Sequence, residues 1–316
     1  MGGTAAKERQ TVSKKVSWRG VFPAVTTQFR KDFSLDIEAT RKVMAGLIRD
    51  GVSGLIVCGT VGENCSLSAA EKQQVVEAGV DVAKGRVPVI AGVAEFTSQF
   101  AIETARMAQK AGVDGVMVMP ALVYTARPHE TAAHYRAVGS AIDVPLMVYN
   151  NPPIYKNAVT PDILASLADV ETIQAFKDSS GDTRAFTDLR NMVGDRFTLF
   201  AGLDDTVVES IMLGAVGWVS GMSNAFPQEG EALFQMAAAG KYSELRPLYD
   251  WFMPLLHLDA RPDLVQCIKL CESIMGRGSA LTRPPRLALP DADRAEIEAL
   301  MKTALATRPS LPQRAA

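Results

Sequence analysis

Two residues have the type and setting for covalent chemistry on a carbonyl carbon, Lys177 and Tyr149. Lys177 closes the run Ile173-Gln174-Ala175-Phe176 and precedes Asp178-Ser179-Ser180-Gly181. An amine at the inward-facing end of a strand is poorly hydrated, and lost hydration disfavours its charged form. A neutral amine is the nucleophile that Schiff-base formation requires. The same position also suits a lysine that snorkels from the strand end, or one paired with Asp178. Tyr149 ends a second apolar run, in Val148-Tyr149-Asn150-Asn151-Pro152. A phenol beside the amine can protonate a carbinolamine and carry the proton away as water leaves; a core tyrosine would instead tie its hydroxyl to backbone. The third feature is the turn Gly59-Thr60-Val61-Gly62-Glu63, where backbone N–H groups and the Thr60 hydroxyl can meet an anion. A carboxylate is a natural guest. Phosphate is the rival, but no Lys-Ser or Lys-Thr follows the glycines, and no GxGxxG marks a dinucleotide site.

Residues this far apart in sequence meet only if a regular scaffold gathers them. Strand-like apolar runs begin near Val21, Leu55, Val87, Val116, Val144, Ile173, Phe197 and Trp218. Segments with helical periodicity lie between them, among them 37–49, 69–83 and 98–111. Eight such alternations predict an α/β fold, a parallel (β/α)8 barrel, with its active site at the C-terminal ends of the strands. Those ends carry Thr26, Thr27, Thr60, Glu63, Glu95, Tyr124, Tyr149, Asn150, Lys177, Asp204, Ser223 and Asn224. Gly51-Val52-Ser53-Gly54, Gly112-Val113-Asp114-Gly115 and Gly214-Ala215-Val216-Gly217 each link a helix to the next strand. They read as stabilising turns at the opposite end. The expected organisation is a polar tail over 1–19, the barrel over 20–240, C-terminal helices packed on the barrel over 241–307, and a tail over 308–316. Helical patterns cover 228–239, 242–253, 263–274 and 291–305.

Composition excludes other classes. The chain has 316 residues, of which 47% are hydrophobic and 22% charged, with a formal charge of −2, so nothing favours nucleic acid as a partner. No run of 18 apolar residues and no leading apolar segment is present, which predicts no membrane partner, no secretory signal and a cytoplasmic location. Cys58, Cys65, Cys267 and Cys271 read as buried free thiols. None of the three histidines has metal-ligand spacing. No metal and no cofactor are expected.

In order along the chain, these segments resemble the dihydrodipicolinate synthase and N-acetylneuraminate lyase family of class I aldolases, over about residues 20–289. Gly59-Thr60-Val61-Gly62-Glu63 is similar to the family's GTTGE or GSTGE loop, Tyr149-Asn150-Asn151-Pro152 to its YNxP, and Lys177-Asp178-Ser179-Ser180-Gly181-Asp182 to its K-x-[ST]-[ST]-G-D. The resemblance implies that Lys177 attacks C2 of a 2-oxo acid or imine, and that Tyr149 is the acid–base group. It also implies that Gly59, Thr60 and Val61 hold the C1 carboxylate while Ser223 and Asn224 line the same mouth. A homotetramer is implied too. The departures narrow the chemistry. Val61 stands at the synthase's second threonine and Ile154 at its substrate-binding arginine, with Lys156 nearby. Of the synthase's paired tyrosines, Ala121-Leu122-Val123-Tyr124 leaves Tyr124 alone. The expected activity is therefore a lyase that dehydrates and deaminates Δ1-pyrroline-4-hydroxy-2-carboxylate to 2,5-dioxopentanoate. The alternatives are a 2-keto-3-deoxy sugar-acid dehydratase or aldolase, 4-hydroxy-tetrahydrodipicolinate synthesis, a non-catalytic barrel that binds an oxo acid, and a phosphate-binding barrel using Gly214, Gly217 and Gly221.

Overall fold

The computed structural model describes residues 15–121 and 124–311. Eight parallel strands, β1 (Gly20–Pro23), β2 (Leu55–Val57), β3 (Val89–Val93), β4 (Gly115–Val118), β5 (Leu146–Asn150), β6 (Ile173–Asp178), β7 (Thr198–Ala201) and β8 (Gly217–Ser220), form one sheet. From β2 to β8 each strand pairs with the next in sequence, and β1 pairs with β8. The remaining seam closes through one bridge, Ala24 to Ile56, where the Val25 N–H donates to the Ile56 carbonyl at 2.8 Å. The result is a (β/α)8 barrel. All eight strands are buried from end to end, as parallel strands covered on both faces must be.

The helices are α1 (Ile37–Arg49), α2 (Ala69–Ala83), α3 (Ser98–Ala111), α4 (Pro128–Gly139), α5 (Pro152–Tyr155), α6 (Pro161–Ala165), α7 (Arg184–Val193), α8 (Val207–Met212) and α9 (Pro227–Ala238). Beyond them α10 (Tyr242–Leu256), α11 (Leu264–Ile274) and α12 (Asp291–Ala306) form the C-terminal extension. Among the described residues no helix is long and apolar enough to cross a membrane.

Several boundaries move for local reasons. The ladders of β3 and β5 start two residues after the expected Val87 and Val144, because Pro88 and Pro145 have no N–H to contribute. Their carbonyls still accept, from Leu55 and Val116. Helix α10 runs on through Pro254 to Leu256, past its expected end at 253. The glycine turns behave as expected: Gly51, Gly112 and Gly214 have φ of 89°, 92° and 104°. A Cβ on Gly54, Gly115 or Gly217 would strike the rings of Phe22, Trp18 and Phe200. Gly214 thus precedes β8 and Gly217 opens it, both at the end of the barrel away from the site, where they cannot form a phosphate cup in the mouth.

Part of the polar tail expected over 1–19 packs on the barrel, in the residues that are described. Trp18 is buried against Gly115, and the Val16 N–H donates to Gln174 at 2.8 Å. At the other end α12 stops at Ala306, and Arg308 just beyond it pairs with the buried Glu229. Cys58, Cys267 and Cys271 are buried free thiols, but Cys65 is exposed, because it sits on the short turn Asn64–Ser66 that leaves β2.

Candidate active site

Strand register brings the two chemical residues together. Tyr149 and Lys177 are directly paired partners on β5 and β6, and Asn150 and Asp178 are the next pair. Successive side chains on a strand face opposite ways, so the first pair lines the barrel mouth and the second does not. Asn150 donates to Asp178 at 2.6 Å and accepts from the Val159 N–H at 2.8 Å, while the Ser180 hydroxyl donates to Asp178 at 2.7 Å. Burial raises the Asp178 carboxyl, and these hydrogen bonds oppose the rise. Lys177 therefore has no ion pair with its sequence neighbour. It is 5% exposed, and its Nζ lies 3.7 Å from the centroid of the Tyr149 ring. Among the described residues it makes no ion pair within 4.0 Å.

The Tyr149 hydroxyl does not go to backbone. It accepts from the Asn151 side-chain amide at 2.9 Å. Asn151 also caps α5, its side-chain oxygen accepting from the Ile154 N–H at 3.2 Å. This cap, with prolines in the first turn, folds 152–155 into one helical turn and returns Tyr155 over the strand end. The Tyr155 hydroxyl is hydrogen-bonded to Thr60, and its ring stands edge-on to Tyr149 with centroids 5.7 Å apart. Burial drives the Tyr155 phenol well above its ordinary pKa, and Tyr149 adds to the effect. Sequence reading passed over Tyr155. The Asn-Pro-Pro start of a short helix was the signal that would have placed it.

The turn after β2 is held under strain. Cys58 and Glu63, on either side of Gly59–Gly62, have φ of 54° and 56°, which costs a non-glycine residue on the order of 1 kcal/mol or more. The supports are buried and polar. Lys269 of α11 pairs with Glu63 at 2.9 Å, both side chains being fully buried, and donates to the Thr27 carbonyl at 2.8 Å. The Arg283 N–H donates to the second Glu63 oxygen at 2.9 Å. The Thr27 hydroxyl donates to the Gly62 carbonyl at 2.7 Å, and Asn64 donates to the Cys58 carbonyl at 2.8 Å. Burial lowers the Lys269 pKa, and Glu63 opposes that shift.

These walls enclose a cavity of about 180 Å³. Thr60, Val61, Tyr149 and Lys177 line it, and so does Ile154. The buried Ser179 hydroxyl, which has no hydrogen-bond partner, is also in the lining. Gly59 lies behind the turn, with room for a Cβ against Met117, and is not in the lining. Ser223 and Asn224 do not line the cavity either, because the chain after β8 enters the short helical turn Met222–Asn224. That turn sets the Ser223 hydroxyl against Gly230 of α9, while Asn224 donates to the Ala24 and Gly221 carbonyls. Tyr124 is exposed and donates to Glu130 at 3.2 Å; residues 122 and 123 lie outside the described residues. Lys156 is exposed and donates to the Pro153 carbonyl. A carboxylate that sequence reading missed, Asp259 of the extension, also reaches the cavity. Among the described residues no three His, Cys, Asp or Glu side chains are grouped to hold a metal ion.

Comparison with known proteins gives one consistent result. The profile of the dihydrodipicolinate synthetase family matches residues 17–304. A 4-hydroxy-tetrahydrodipicolinate synthase of Methanosarcina mazei is 32% identical over 284 residues, covering 89% of this chain and 96% of that one. Among solved structures, a putative dihydrodipicolinate synthetase from Pseudomonas aeruginosa superposes with a TM-score of 0.86 at 29% identity, over 90% of this chain and 99% of that one. A prophage protein of the dihydrodipicolinic acid synthase family from E. coli K12, in complex with pyruvate, gives 0.86 at 26% identity, over 92% and 99%.

Proposed function

This chain belongs to the dihydrodipicolinate synthetase family, and from that premise we propose that it is a lysine Schiff-base lyase acting on a small 2-oxo acid or cyclic imino acid. The observation that carries the reading is the Lys177–Tyr149 pair. An amine with no ion-pair partner among the described residues lies 3.7 Å from the ring of a buried phenol, inside a cavity at the barrel mouth. Lys177 attacks C2, Tyr149 carries protons to and from the carbinolamine, and the turn at Thr60 and Val61 receives the C1 carboxylate. The protonated Schiff base then withdraws electrons from C3.

The substrate we favour is Δ1-pyrroline-4-hydroxy-2-carboxylate. Attack by Lys177 on its C=N carbon and cleavage of the ring C–N bond would leave an open chain bearing a C5 amine. Loss of the 4-hydroxyl as water leaves C3=C4. A proton shift from C5 to C3 gives the C4=C5 enamine, and a second proton at C4 makes it a C5 imine. Hydrolysis at C5 and at C2 then gives ammonia and 2,5-dioxopentanoate. Two observations support a small substrate over the synthase reaction named for the relatives. The cavity, at about 180 Å³, is well below the roughly 300–1,000 Å³ of pockets for larger ligands. Val61 and Ile154 put apolar surface where the resemblance expects a threonine and an arginine. A 2-keto-3-deoxy sugar-acid dehydratase is the second reading, resting on the same C2 and C4 chemistry. We also propose a cytoplasmic homotetramer, on family resemblance.

The test is borohydride reduction with pyruvate or the hydroxy-pyrroline acid, followed by intact mass. Wild-type protein should gain the mass of the reduced adduct. Lys177→Ala should gain none and lose at least about 10⁴-fold in turnover. A folded wild-type protein that labels with neither compound would leave a binding barrel in place of an enzyme.

A further inference from the structure

The extension contributes more than packing. The short helical turn His257–Ala260 between α10 and α11 brings Asp259 to the cavity, from the side of β7 and β8. Gly221 makes room for it: a Cβ at that position would lie 2.3 Å from the Asp259 Oδ1, so any larger residue would displace the carboxylate. Behind it is Asp204, wholly buried, which accepts from Trp218 Nε1 at 2.9 Å, the Ser220 hydroxyl at 3.3 Å, and the N–H groups of Gly221 and Met222 at 3.2 and 2.7 Å. Asp204 is tied to protein donors, whereas Asp259 opens onto the cavity that holds Lys177.

The other walls give this position its meaning. A substrate with C2 on Lys177 of β6 and its carboxylate at the turn after β2 must send its remaining carbons elsewhere in the mouth. The β7–β8 side, where Asp259 stands with Leu203 and Gly221, is one of the walls they can meet. We propose that Asp259 is a further catalytic residue, the acid that protonates the hydroxyl leaving C4 of a 4-hydroxy-2-oxo acid or its cyclic imine. The proposal rests on the Schiff-base reading of Lys177. C3 gives its proton to the Tyr149 oxygen, which has already passed its own to the departing amine or water. The enamine nitrogen pair then re-forms the C2=N bond and the C2=C3 pair moves to C3=C4. The C4–O bond breaks with its electrons on oxygen, and the Asp259 proton joins that oxygen to make water. Asp259 is left as a carboxylate and regains its proton from solvent.

The electrostatic setting suits an acid. Burial pushes the Asp259 carboxyl up to about 6, with the Lys177 ammonium and the Asp204 N–H opposing and Asp205 adding to the rise. Asp204 is raised well above its usual range by burial and by the charge of Asp259. His257, on the same turn as Asp259, is engaged with Asp205 at 2.9 Å. A carboxyl in this range can both hold and release a proton near neutral pH.

The experiment uses the full chain and two leaving groups. Asp259→Asn should trap pyruvate with borohydride as wild type does, yet release ammonia from Δ1-pyrroline-4-hydroxy-2-carboxylate about 100-fold more slowly or worse. With the 4-chloro analogue, whose chloride leaves without a proton, it should stay within about threefold of wild type. Should Asp259→Asn not fold, the wild-type pH profiles decide. The hydroxy substrate should lose rate as pH rises above about 6, and the chloro analogue should not. Equal losses on both substrates, no loss on either, or superimposable wild-type profiles would overturn the proposal. Wild-type protein that forms no pyruvate adduct would fail the Schiff-base reading and remove the premise. An adduct without turnover of either pyrroline would overturn the elimination step while leaving Lys177 in its role.

Discussion

Lys177 and Tyr149 reach the cavity from β5 and β6, where backbone ladders set their positions and the neighbouring Asn150–Asp178 pair satisfies itself on the other face. The side built by the C-terminal extension is different. There the turn before α11 supplies Asp259 to the lining, and α11 holds Lys269 and Glu272 behind it through buried polar contacts rather than a ladder. On the strand side, backbone hydrogen bonds survive most side-chain changes, so a substitution should cost rate and spare the fold. On the extension side, each ionic group has lost its water and depends on one or two partners. Loss of one partner there should cost stability first, and rate through the displaced turn.

The largest effect should come from the strand side. Tyr149→Phe keeps the ring beside Lys177 and removes one hydrogen bond, to Asn151. Turnover should fall by about 10²–10⁴-fold, the range for a lost acid–base group, while the denaturant midpoint should hardly move. Steady-state rates and urea unfolding on the same preparation check both halves. A loss below about tenfold would shift the proton-carrying role to Tyr155, the phenol hydrogen-bonded to Thr60.

The extension should answer in the other currency. Lys269→Met leaves Glu63 with its charge buried and without its ion-pair partner, which should cost about 3–5 kcal/mol in unfolding free energy. Adding Glu63→Gln removes the stranded charge, and the double variant should recover a good part of that loss. Equilibrium unfolding of the single and double variants measures this coupling. If the single variant loses under about 1 kcal/mol, water must reach the pair, and the two walls would differ less than their burial indicates.

The same contrast sets what could be read in the sequence. The strand side was legible because a parallel barrel leaves a recognisable alternation of apolar runs and helices, and because function sits at strand ends. Lys177 and Tyr149 followed from those rules and from the order of the motifs. Register between strands is not written in either run, so the 3.7 Å approach of the two residues was beyond reach. Ser223 and Asn224 were assigned to the mouth by position, but the helical turn after β8 carries both away from it. The extension was read as helices packed on the barrel, and nothing in Leu258-Asp259-Ala260 marks a cavity residue. In α11, Gln266, Lys269, Glu272 and Ser273 fall on one arc of the helix and read as a solvated stripe. Gln266 and Ser273 are half-buried, but Lys269 and Glu272 are buried, and buried charges must meet partners inside the protein.

Glu272 offers the smallest and sharpest probe of that side. Its carboxylate accepts from the Thr26 hydroxyl at 2.7 Å and from Gln28 at 3.4 Å, and its other oxygen is buried with no partner. Burial pushes its carboxyl from 4.5 up to about 7, against the pull of Thr26 and Lys269. Between those pH values the folded protein keeps a proton that the unfolded chain has released. The stabilising effect of the protonated group is therefore complete below about 4.5 and is lost as pH rises through about 7. It amounts to about 3 kcal/mol at most. Glu272→Gln should remove this slope, so the wild-type minus variant difference in unfolding free energy should fall from pH 4.5 to 7 and level off above. Glu71, held at about 2 by Arg283, acts with the opposite sign at lower pH and cancels in that difference. A flat difference across the window would mean that Glu272 ionises at its unfolded value beside Lys269. The extension would then hold its charges as compensated pairs, and Glu63–Lys269 alone would account for its fragility.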